Sequence, residues 1–257
     1  MSKRTTPIII GNWKTTPATK EIAVTFIKQL DKKCGSSKIK LPRKAYYLAV
    51  PDIFIPPLSE LSSYGYIGAQ NSTGTSLGQI TGETTPSMLA SGGASFILLG
   101  HSEVRKQGET SEVVSLKVAL SLQSKITTVL CVGEEKRDKE GVYLELLEKD
   151  LTVSLALAPK HLLSNLVIAY EPIWAIGKDI PATPAECFEA VIALRRALAT
   201  LFSIDYAKKI HIIYGGAVTA DTAKIFLTDG GVDGLLIGRA SQEVSSFLEI
   251  LKVCHSA

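Results

Sequence analysis

The stretch LVIAYEP, residues 166 to 172, is a run of apolar residues that ends in a carboxylate, Glu171, followed by a proline. Continuous apolarity, rather than alternation of apolar and polar residues, is typical of a parallel strand covered on both faces. Pro172 restricts the backbone of Glu171 to an extended conformation. The stretch therefore predicts a buried strand that carries a glutamate at its carboxyl end.

Seven further short apolar runs are spread along the chain, and stretches with helical periodicity lie between them. The clearest helix signal is TPAECFEAVIALRRALATLF (183 to 202), with Thr183 as N-cap, Pro184 at the first helical position and Glu186 three residues after the cap. The other seven apolar runs are PIIIGNW (7 to 13), AYYLAVP (45 to 51), YIGAQN (66 to 71), FILLGHS (96 to 102), ITTVLCVG (126 to 133), IHIIYGG (210 to 216) and GLLIGRA (234 to 240). Eight strands alternating with helices predict an α/β fold, a (β/α)8 barrel of parallel strands with outer helices, rather than a doubly wound sheet.

Length and composition agree with this class. With 257 residues and 46% hydrophobic side chains, the chain is long enough for two small domains or for one barrel. No tract rich in proline, serine or charge divides it, so we expect residues 1–257 to form a single barrel domain.

Charge and cysteine content exclude several classes of partner. A net charge of +3 is too small to indicate a nucleic-acid partner. No segment approaches the roughly 20 apolar residues that span a bilayer, so we expect no membrane partner. The cysteines lie far apart and form no CxxC pair, which argues against a disulfide framework or a zinc site and favours the cytoplasm. They are Cys34, Cys131, Cys187 and Cys254.

Polar residues follow most of the predicted strands, where the active site of a (β/α)8 barrel is built. Glu171 ends strand 6 in an apolar setting, which raises the basicity of a carboxylate and suits abstraction of a C–H proton. The alternative is a glutamate that pairs with a nearby lysine. The remaining candidates are Asn12 and Lys14 after strand 1, His101 and Glu103 after strand 4, Glu134 after strand 5, Gly215 and Gly216 after strand 7, and Gly238 and Arg239 after strand 8.

His101 opens HSEVR, in which Ser102 and Glu103 are helix-starting residues. Backbone N–H groups at a helix start favour a neutral ring, and a neutral imidazole donates a hydrogen bond to a carbonyl oxygen. The alternative is a structural histidine, as we expect for His211, which the pattern places within a strand. Lys14 follows Asn12 by two residues, so the two side chains point the same way and can hold an anionic oxygen, unless Lys14 is an ordinary surface lysine.

The motifs at these strand ends, taken together, resemble the triosephosphate isomerase family. They occur in the family's order over nearly the whole chain, and a chance match of so many is very improbable. They are GNWK (11 to 14), GAQN (68 to 71), TGE (81 to 83), LGHSE (99 to 103), CVGE (131 to 134), AYEPIWAIG (169 to 177), ATP (182 to 184), YGG (214 to 216) and LIGRAS (236 to 241). The resemblance implies a TIM barrel and an isomerase of glycolysis and gluconeogenesis that needs neither a metal nor an organic cofactor. Its substrates would be dihydroxyacetone phosphate and D-glyceraldehyde 3-phosphate, interconverted by proton transfer through an enediolate.

The resemblance also implies catalytic roles for residues of this chain. Glu171 would move the proton, His101 would polarise the carbonyl as a neutral electrophile, and Lys14 would face the enediolate. Asn12 would be a positioning donor, and Glu103 a second carboxylate beside them.

Binding roles follow from the resemblance in the same way. Asn12 and Lys14 would contact substrate, and the phosphate would be held by backbone N–H groups of Gly177, Ala217, Gly238 and Arg239. The residues Pro172, Ile173, Trp174, Ala175, Ile176 and Gly177 would form a lid loop that excludes water, in which Trp174 exchanges between Tyr170 and Glu134. Thr81 would reach the site of a neighbouring subunit, so the resemblance implies a homodimer.

Four positions depart from the family's pattern. Ala217 replaces a serine and Asp179 a glycine, and these two partners bond each other when the family's lid closes, so we expect a weaker closed state rather than lost chemistry. Arg239 replaces a glycine, which strains the chain only if that position requires positive φ. Val104 replaces an arginine and should remove a charge behind His101. A barrel isomerase for another small sugar phosphate and a non-catalytic binding protein are the alternative functions.

Overall fold

A computed structural model of the chain describes residues 6–37, 39–176 and 182–256. Eight parallel strands are hydrogen-bonded in chain order, and the last pairs with the first to close a barrel. Helices follow the strands and surround them, which confirms the predicted TIM barrel. The strands are β1 (Ile8–Asn12), β2 (Tyr46–Val50), β3 (Gly65–Ala69), β4 (Phe96–Leu99), β5 (Thr127–Val132), β6 (Leu166–Tyr170), β7 (His211–Gly216) and β8 (Gly234–Ile237).

The outer layer consists of helices of four to eighteen residues. They are α1 (Lys20–Gly35), α2 (Ile55–Leu61), α3 (Pro86–Ser91), α4 (Ser102–Arg105), α5 (Ser111–Gln123), α6 (Val142–Ser154), α7 (Pro184–Leu201), α8 (Ile204–Lys209), α9 (Ala220–Asp229) and α10 (Val244–His255). The predicted start of α7 is confirmed: Thr183 caps the helix, Pro184 is its first residue, and Glu186 completes a capping box.

Every strand except β3 contributes side chains to two separate cores. Along β6, Ile168 and Tyr170 pack outward into the core beneath the helices, whereas Val167 and Ala169 pack into the barrel interior. Because successive side chains of a strand point to opposite faces, Glu171 has the inward direction of Ala169. The strand pattern therefore places the carboxylate above the barrel interior.

The first strand uses the same alternation. Ile10 lies in the barrel interior and Ile9 in the outer core. Asn12 follows Ile10 by two residues, so its amide also points inward at the carboxyl end of the barrel. Position along the strand, rather than local sequence alone, brings Asn12 to the face where Glu171 lies.

Two further observations bear on the sequence predictions. His211 begins β7 instead of lying in its middle, and its Nδ1 atom is 3.6 Å from Asp233. Within residues 6–37, 39–176 and 182–256, no helix has both the length and the apolarity needed to cross a bilayer.

Candidate active site

Glu171 is positioned by the two strands beside it. Its backbone N–H donates to the carbonyl of Val132 at 2.8 Å, and only 4% of the residue is exposed. Two glycines make room: a Cβ on Gly133 would lie 1.7 Å from the carbonyl oxygen of Glu171, and a Cβ on Gly215 would lie 2.9 Å from its Cγ. These close approaches explain why glycine is required on both sides of the carboxylate.

His101 is the N-cap of α4. Its Nδ1 atom accepts the backbone N–H of Glu103 at 3.2 Å, so this nitrogen carries no proton while the bond is formed. The other ring nitrogen, Nε2, lies 3.3 Å from Oε1 of Glu171. The ring is buried, and its Nε2 atom lies beside the carboxylate.

Burial and charge have opposite effects on the pKa values of Glu171 and His101. Burial acts to raise the pKa of the Glu171 carboxyl, but attraction to His101, together with the nearby polar groups of His101, Cys131 and the Ser102 backbone, outweighs burial and lowers that pKa. Burial acts to lower the pKa of the His101 ring, whereas the Glu171 charge raises it above its ordinary value. Since Nδ1 already accepts an N–H, the helix start works against protonation of the ring.

Lys14 adopts a left-handed backbone conformation, with φ of 56°. Such a conformation costs an L-residue about 1–2 kcal/mol, and local hydrogen bonds hold it here. The Lys14 N–H donates to Oδ1 of Asn12 at 3.0 Å, and the Lys14 carbonyl accepts Nε2 of Gln70 at 2.7 Å. The Lys14 ammonium pairs with Glu103. The sequence prediction missed Gln70, although GAQN contains it, because nothing local indicates that its amide reaches the β1 loop.

These side chains line one cavity of about 720 Å³ at the carboxyl ends of the strands, which we call the mouth cavity. All five predicted catalytic residues line it: Asn12, Lys14, His101, Glu103 and Glu171. Three of the four predicted phosphate-binding residues do so as well, namely Ala217, Gly238 and Arg239. The fourth, Gly177, lies outside the described residues, as does Asp179. Thr81 is exposed elsewhere and does not line the cavity.

The described part of the lid loop, Pro172 to Ile176, begins with a turn of 3-10 helix at Ile173–Ala175. Trp174 donates its Nε1–H to Oε1 of Glu134 at 2.8 Å, and the Tyr170 hydroxyl donates to the same oxygen at 2.9 Å. The first half of the loop is therefore tied to the ends of β5 and β6 through one carboxylate oxygen.

Arg137 neutralises this carboxylate, and the sequence prediction did not include it. Its Nε–H donates to Oε1 of Glu134 at 3.0 Å, and Nη2 donates to the Tyr170 hydroxyl at 3.3 Å. Its guanidinium carbon also lies 5.6 Å from the centre of the Trp174 ring. The only sequence signal was an arginine three residues after CVGE, which has no chemical meaning until the loop is folded.

The structure shows whether Arg239, which replaces a glycine of the family's pattern, has a strained backbone. Within the described ranges, the non-glycine residues with positive φ are Lys14, Lys44 and Lys125, so the arginine is not strained. It begins a turn of 3-10 helix directly after Gly238.

The position behind His101 keeps a charge despite Val104. Arg105, the next residue, donates Nε–H to the carbonyl of Gly100 at 2.8 Å and lies 3.3 Å from Asp150. The neighbouring arginine therefore supplies the guanidinium that the Val104 position lacks.

The Tyr214 hydroxyl is buried and has no hydrogen-bond partner among the described residues. Burial raises its pKa, and the backbone N–H of Ala182 acts in the opposite direction. The hydroxyl therefore faces the backbone N–H of Ala182 without a completed bond. In the described ranges, no group of three or more His, Cys, Asp or Glu side chains is arranged to hold a metal ion.

Comparisons with known proteins agree with this geometry. The family model described as triosephosphate isomerase matches residues 7–254. The chain is 38% identical over 257 residues to the triosephosphate isomerase of Protochlamydia amoebophila, covering 98% of this chain and 95% of the relative. It is 35% identical over 250 residues to that of Aster yellows witches'-broom phytoplasma, covering 96% and 89%, and 33% identical over 244 residues to that of Coprinopsis cinerea, covering 94% and 95%. The fold, the polar mouth cavity and these matches show that the chain belongs to the triosephosphate isomerase family.

Proposed function

We propose that the mouth cavity interconverts dihydroxyacetone phosphate and D-glyceraldehyde 3-phosphate by proton transfer, as a step of glycolysis and gluconeogenesis. The observation that carries this proposal is the meeting of Glu171 and His101 at 3.3 Å in a cavity that Asn12 and Lys14 also line. A base, a hydrogen-bond donor and a cation that converge on one small cavity are the groups that enolisation of a carbonyl compound requires.

Glu171 is the base in this mechanism. Its carboxylate takes the proton from the carbon beside the carbonyl, and the electron pair of that C–H bond forms the C=C bond of an enediolate while the carbonyl oxygen gains the negative charge. The Glu171 carboxyl then returns the proton to the neighbouring carbon. In the same conversion the hydroxyl proton on the first carbon's oxygen passes to the former carbonyl oxygen, so that the first carbon gains the C=O bond and the second keeps a hydroxyl. Atoms and charge balance without a cofactor, and the proton resides on Glu171 between the two steps.

His101 acts as the neutral donor to the developing oxyanion. The support is its Nδ1 atom, which accepts the Glu103 N–H and leaves Nε2–H as the ring's donor. The Glu171 charge opposes the neutral form of the ring. That opposition ends when Glu171 takes up the substrate proton, so the ring is neutral while the enediolate exists.

Lys14 and Asn12 complete the polar half of the site. The Lys14 ammonium, which pairs with Glu103, supplies positive charge to the enediolate oxygen. Asn12 holds the Lys14 backbone through its Oδ1 atom, and its amide N–H groups remain available as positioning donors to substrate.

Backbone N–H groups of Ala217, Gly238 and Arg239 bind the phosphate, together with that of Gly177. Support comes from the first three lining the same cavity as the catalytic residues. A Cβ on Gly238 would meet nothing closer than the Lys14 side chain at 4.0 Å, so the approach to this backbone is open. The described loops after β7 and β8 thus leave room for an anion.

Closure of the lid loop is weakened in this chain but not lost. Ala217 has no hydroxyl to contribute, whereas the buried Tyr214 hydroxyl oxygen can still accept the backbone N–H of Ala182. One missing neutral hydrogen bond lowers the stability of the closed state by about 0.5–1.5 kcal/mol. The effect should fall on substrate affinity rather than on proton transfer.

The chain assembles as a homodimer through the segment around Thr81. This segment exposes two large apolar side chains, Leu77 at 65% and Ile80 at 53%, which a second copy would cover. The variant Leu77→Arg should convert the dimer to a monomer in sedimentation equilibrium, whereas an unchanged mass would contradict this interface.

Residues 1–257 form one domain, and the protein works in the cytoplasm. The first statement is supported by the single closed barrel, in which β1 is the first strand along the chain and α10 is the last helix. The four buried cysteines are all free thiols, which fits a reducing compartment. Fractionation of cells that express the chain tests the location.

The decisive experiment compares the native chain with Glu171→Gln in steady-state isomerisation of glyceraldehyde 3-phosphate. We expect the variant to lose about 10²- to 10⁴-fold in kcat, whereas Glu249→Gln, on α10, should keep the native rate. A native chain as slow as Glu171→Gln would contradict the isomerase function. Activity on another small sugar phosphate instead would change the substrate but keep the base.

A further inference from the structure

The charges around the mouth cavity are balanced, and Arg239 supplies one of its three positive charges. Among the described residues, the cavity is lined by three basic side chains, Lys14, Lys106 and Arg239, and by three carboxylates, Glu103, Glu171 and Glu243. With a neutral His101, these formal charges cancel, and without Arg239 the lining would be net negative. Because the proposed substrate is an anion, a net negative lining would repel it.

Arg239 differs from Lys14 in its ion pairing among the described residues. The Lys14 ammonium is paired with Glu103. In the described parts of the chain, no carboxylate lies within ion-pair distance of the Arg239 guanidinium, although Glu243 lines the same cavity. The Arg239 side chain is exposed to solvent at the rim, so its charge is available to a ligand.

The position of Arg239 puts this charge beside the loops that bind the phosphate. It follows Gly238 at the end of β8, and Ala217 lines the same cavity from the end of β7 without a hydroxyl of its own. A guanidinium carries several N–H donors in a planar arrangement that matches phosphate oxygens. Arg239 therefore brings charged donors to the cavity that is proposed to bind the phosphate.

We propose that the guanidinium of Arg239, in addition to its backbone N–H, is a substrate-binding group that contacts the phosphate of the triose phosphate. This inference rests on the proposed position of the phosphate. The side chain acts on affinity and on the encounter with substrate, since it lies at the rim and makes no contact with Glu171 or His101. Its influence is strongest at low ionic strength, where charges at a solvent-exposed rim are least screened.

The test uses Arg239→Ala, Arg239→Lys and, as a control matched in net charge, Lys149→Ala on the exposed face of α6. The first measurement is the Kd of inorganic phosphate by titration calorimetry, which does not depend on catalysis. At about 10 mM ionic strength we expect Arg239→Ala to weaken phosphate binding about fivefold, and the difference to shrink towards none at about 1 M. Arg239→Lys should recover part of the affinity because it keeps the charge.

The second measurement separates binding from chemistry. For glyceraldehyde 3-phosphate, Arg239→Ala should raise KM by a similar factor and change kcat by less than about twofold. If Arg239→Ala binds inorganic phosphate as tightly as Lys149→Ala at low ionic strength, the proposal is overturned. A native chain without isomerase activity would instead refute the proposed function, and the calorimetric comparison would still decide whether Arg239 binds an anion.

Discussion

Nε2 of His101 lies 3.3 Å from Oε1 of Glu171, and both side chains are buried at the mouth of the barrel. They come from strand ends that are not neighbours in the barrel, β4 and β6, with β5 between them. Cys131, on β5, also acts to lower the pKa of the Glu171 carboxyl. The proposed base and the proposed electrophile are therefore coupled to each other in this structure.

The lowered pKa of Glu171 predicts that this residue does not set the acid limb of the activity profile near neutral pH. The carboxylate should stay ionised below the ordinary glutamate value of about 4.3, so a loss of kcat/KM above that value would come from another group, such as the His101 ring, whose pKa is raised. The contribution of the ionised carboxylate to folding is complete above about pH 4.3 and is lost as the pH falls through the lower folded pKa. Infrared difference spectroscopy of the native chain against Glu171→Gln measures protonation of this carboxylate directly; a midpoint above about pH 5 would contradict the prediction.

Removal of the Glu171 charge should lower the pKa of His101. The Glu171 charge raises the ring pKa in the native chain, so the stability due to the charged ring is present below about pH 6.5 and is lost as the pH rises through the higher folded pKa. In Glu171→Gln, burial and the Glu103 N–H remain, while Glu103 and Lys14 act in opposite directions. Nitrogen-15 NMR of labelled histidine should show His101 neutral at pH 6.5; an unchanged pKa would show that Glu171 does not control the ring.

Two substitutions of Lys14 should distinguish the effect of backbone strain on stability from the effect of the ammonium on kcat. Both Lys14→Ala and Lys14→Gly remove the ammonium, so both should lose most of kcat. Because φ is 56°, glycine relieves the strain that alanine retains, and Lys14→Gly should be more stable than Lys14→Ala by about 1 kcal/mol. Urea denaturation of the two variants measures the difference, and equal midpoints would show that the loop relaxes to negative φ.

Arg137 should be needed for stability as well as for the lid loop. Removing it leaves Glu134, which is 4% exposed, as a buried and uncompensated carboxylate, and the free energy of unfolding should fall by about 3 kcal/mol in Arg137→Met. The double variant Arg137→Met with Glu134→Gln should recover part of this loss, because no lone charge remains.

A surface ion pair provides the control for Arg137. Arg196 has a side chain that is 67% exposed and pairs with Glu148, so Arg196→Met should change the unfolding free energy by less than about 1 kcal/mol. Urea titrations of all these variants provide the comparison. Equal effects of Arg137→Met and Arg196→Met would show that the charge of Glu134 is solvated.

Gly215→Ala should displace the base. The added Cβ would lie 2.9 Å from Cγ of Glu171, which forces the carboxylate from its position beside His101 and should lower kcat at least about tenfold. Gly92→Ala at the end of α3 is a matched control, since its Cβ would meet Met88 at an ordinary 3.4 Å. A Gly215→Ala variant with native kcat would mean that Glu171 acts from another position.

The fold could be predicted from the sequence because the patterns that indicate strands and helices are local. Eight apolar runs separated by helical stretches predict the barrel, and Thr183, Pro184 and Glu186 predict the start of α7 to the residue. Glu171, His101, Lys14 and Asn12 were found because polar residues that end buried strands are unusual, and because their motifs resemble those of one family.

The contacts that tune the site could not be predicted, since they join residues far apart in the chain. Gln70 reaches the Lys14 loop, Arg137 neutralises Glu134, and Arg105 takes the place expected of an arginine at Val104. None of these side chains has a local signal, because each acquires a partner only when the strands close into a barrel.

The sequence by itself determined the order of strands and helices and the polar residue at each strand end, since apolar periodicity and capping depend on near neighbours. Only the tertiary structure decided that Glu171 and His101 meet, that Lys14 holds positive φ while Arg239 does not, and that one cavity collects their side chains. The physical reason is closure of the barrel. Pairing of β8 with β1 brings strand ends that are distant in the sequence to one rim, where their charged side chains are buried together and interact strongly.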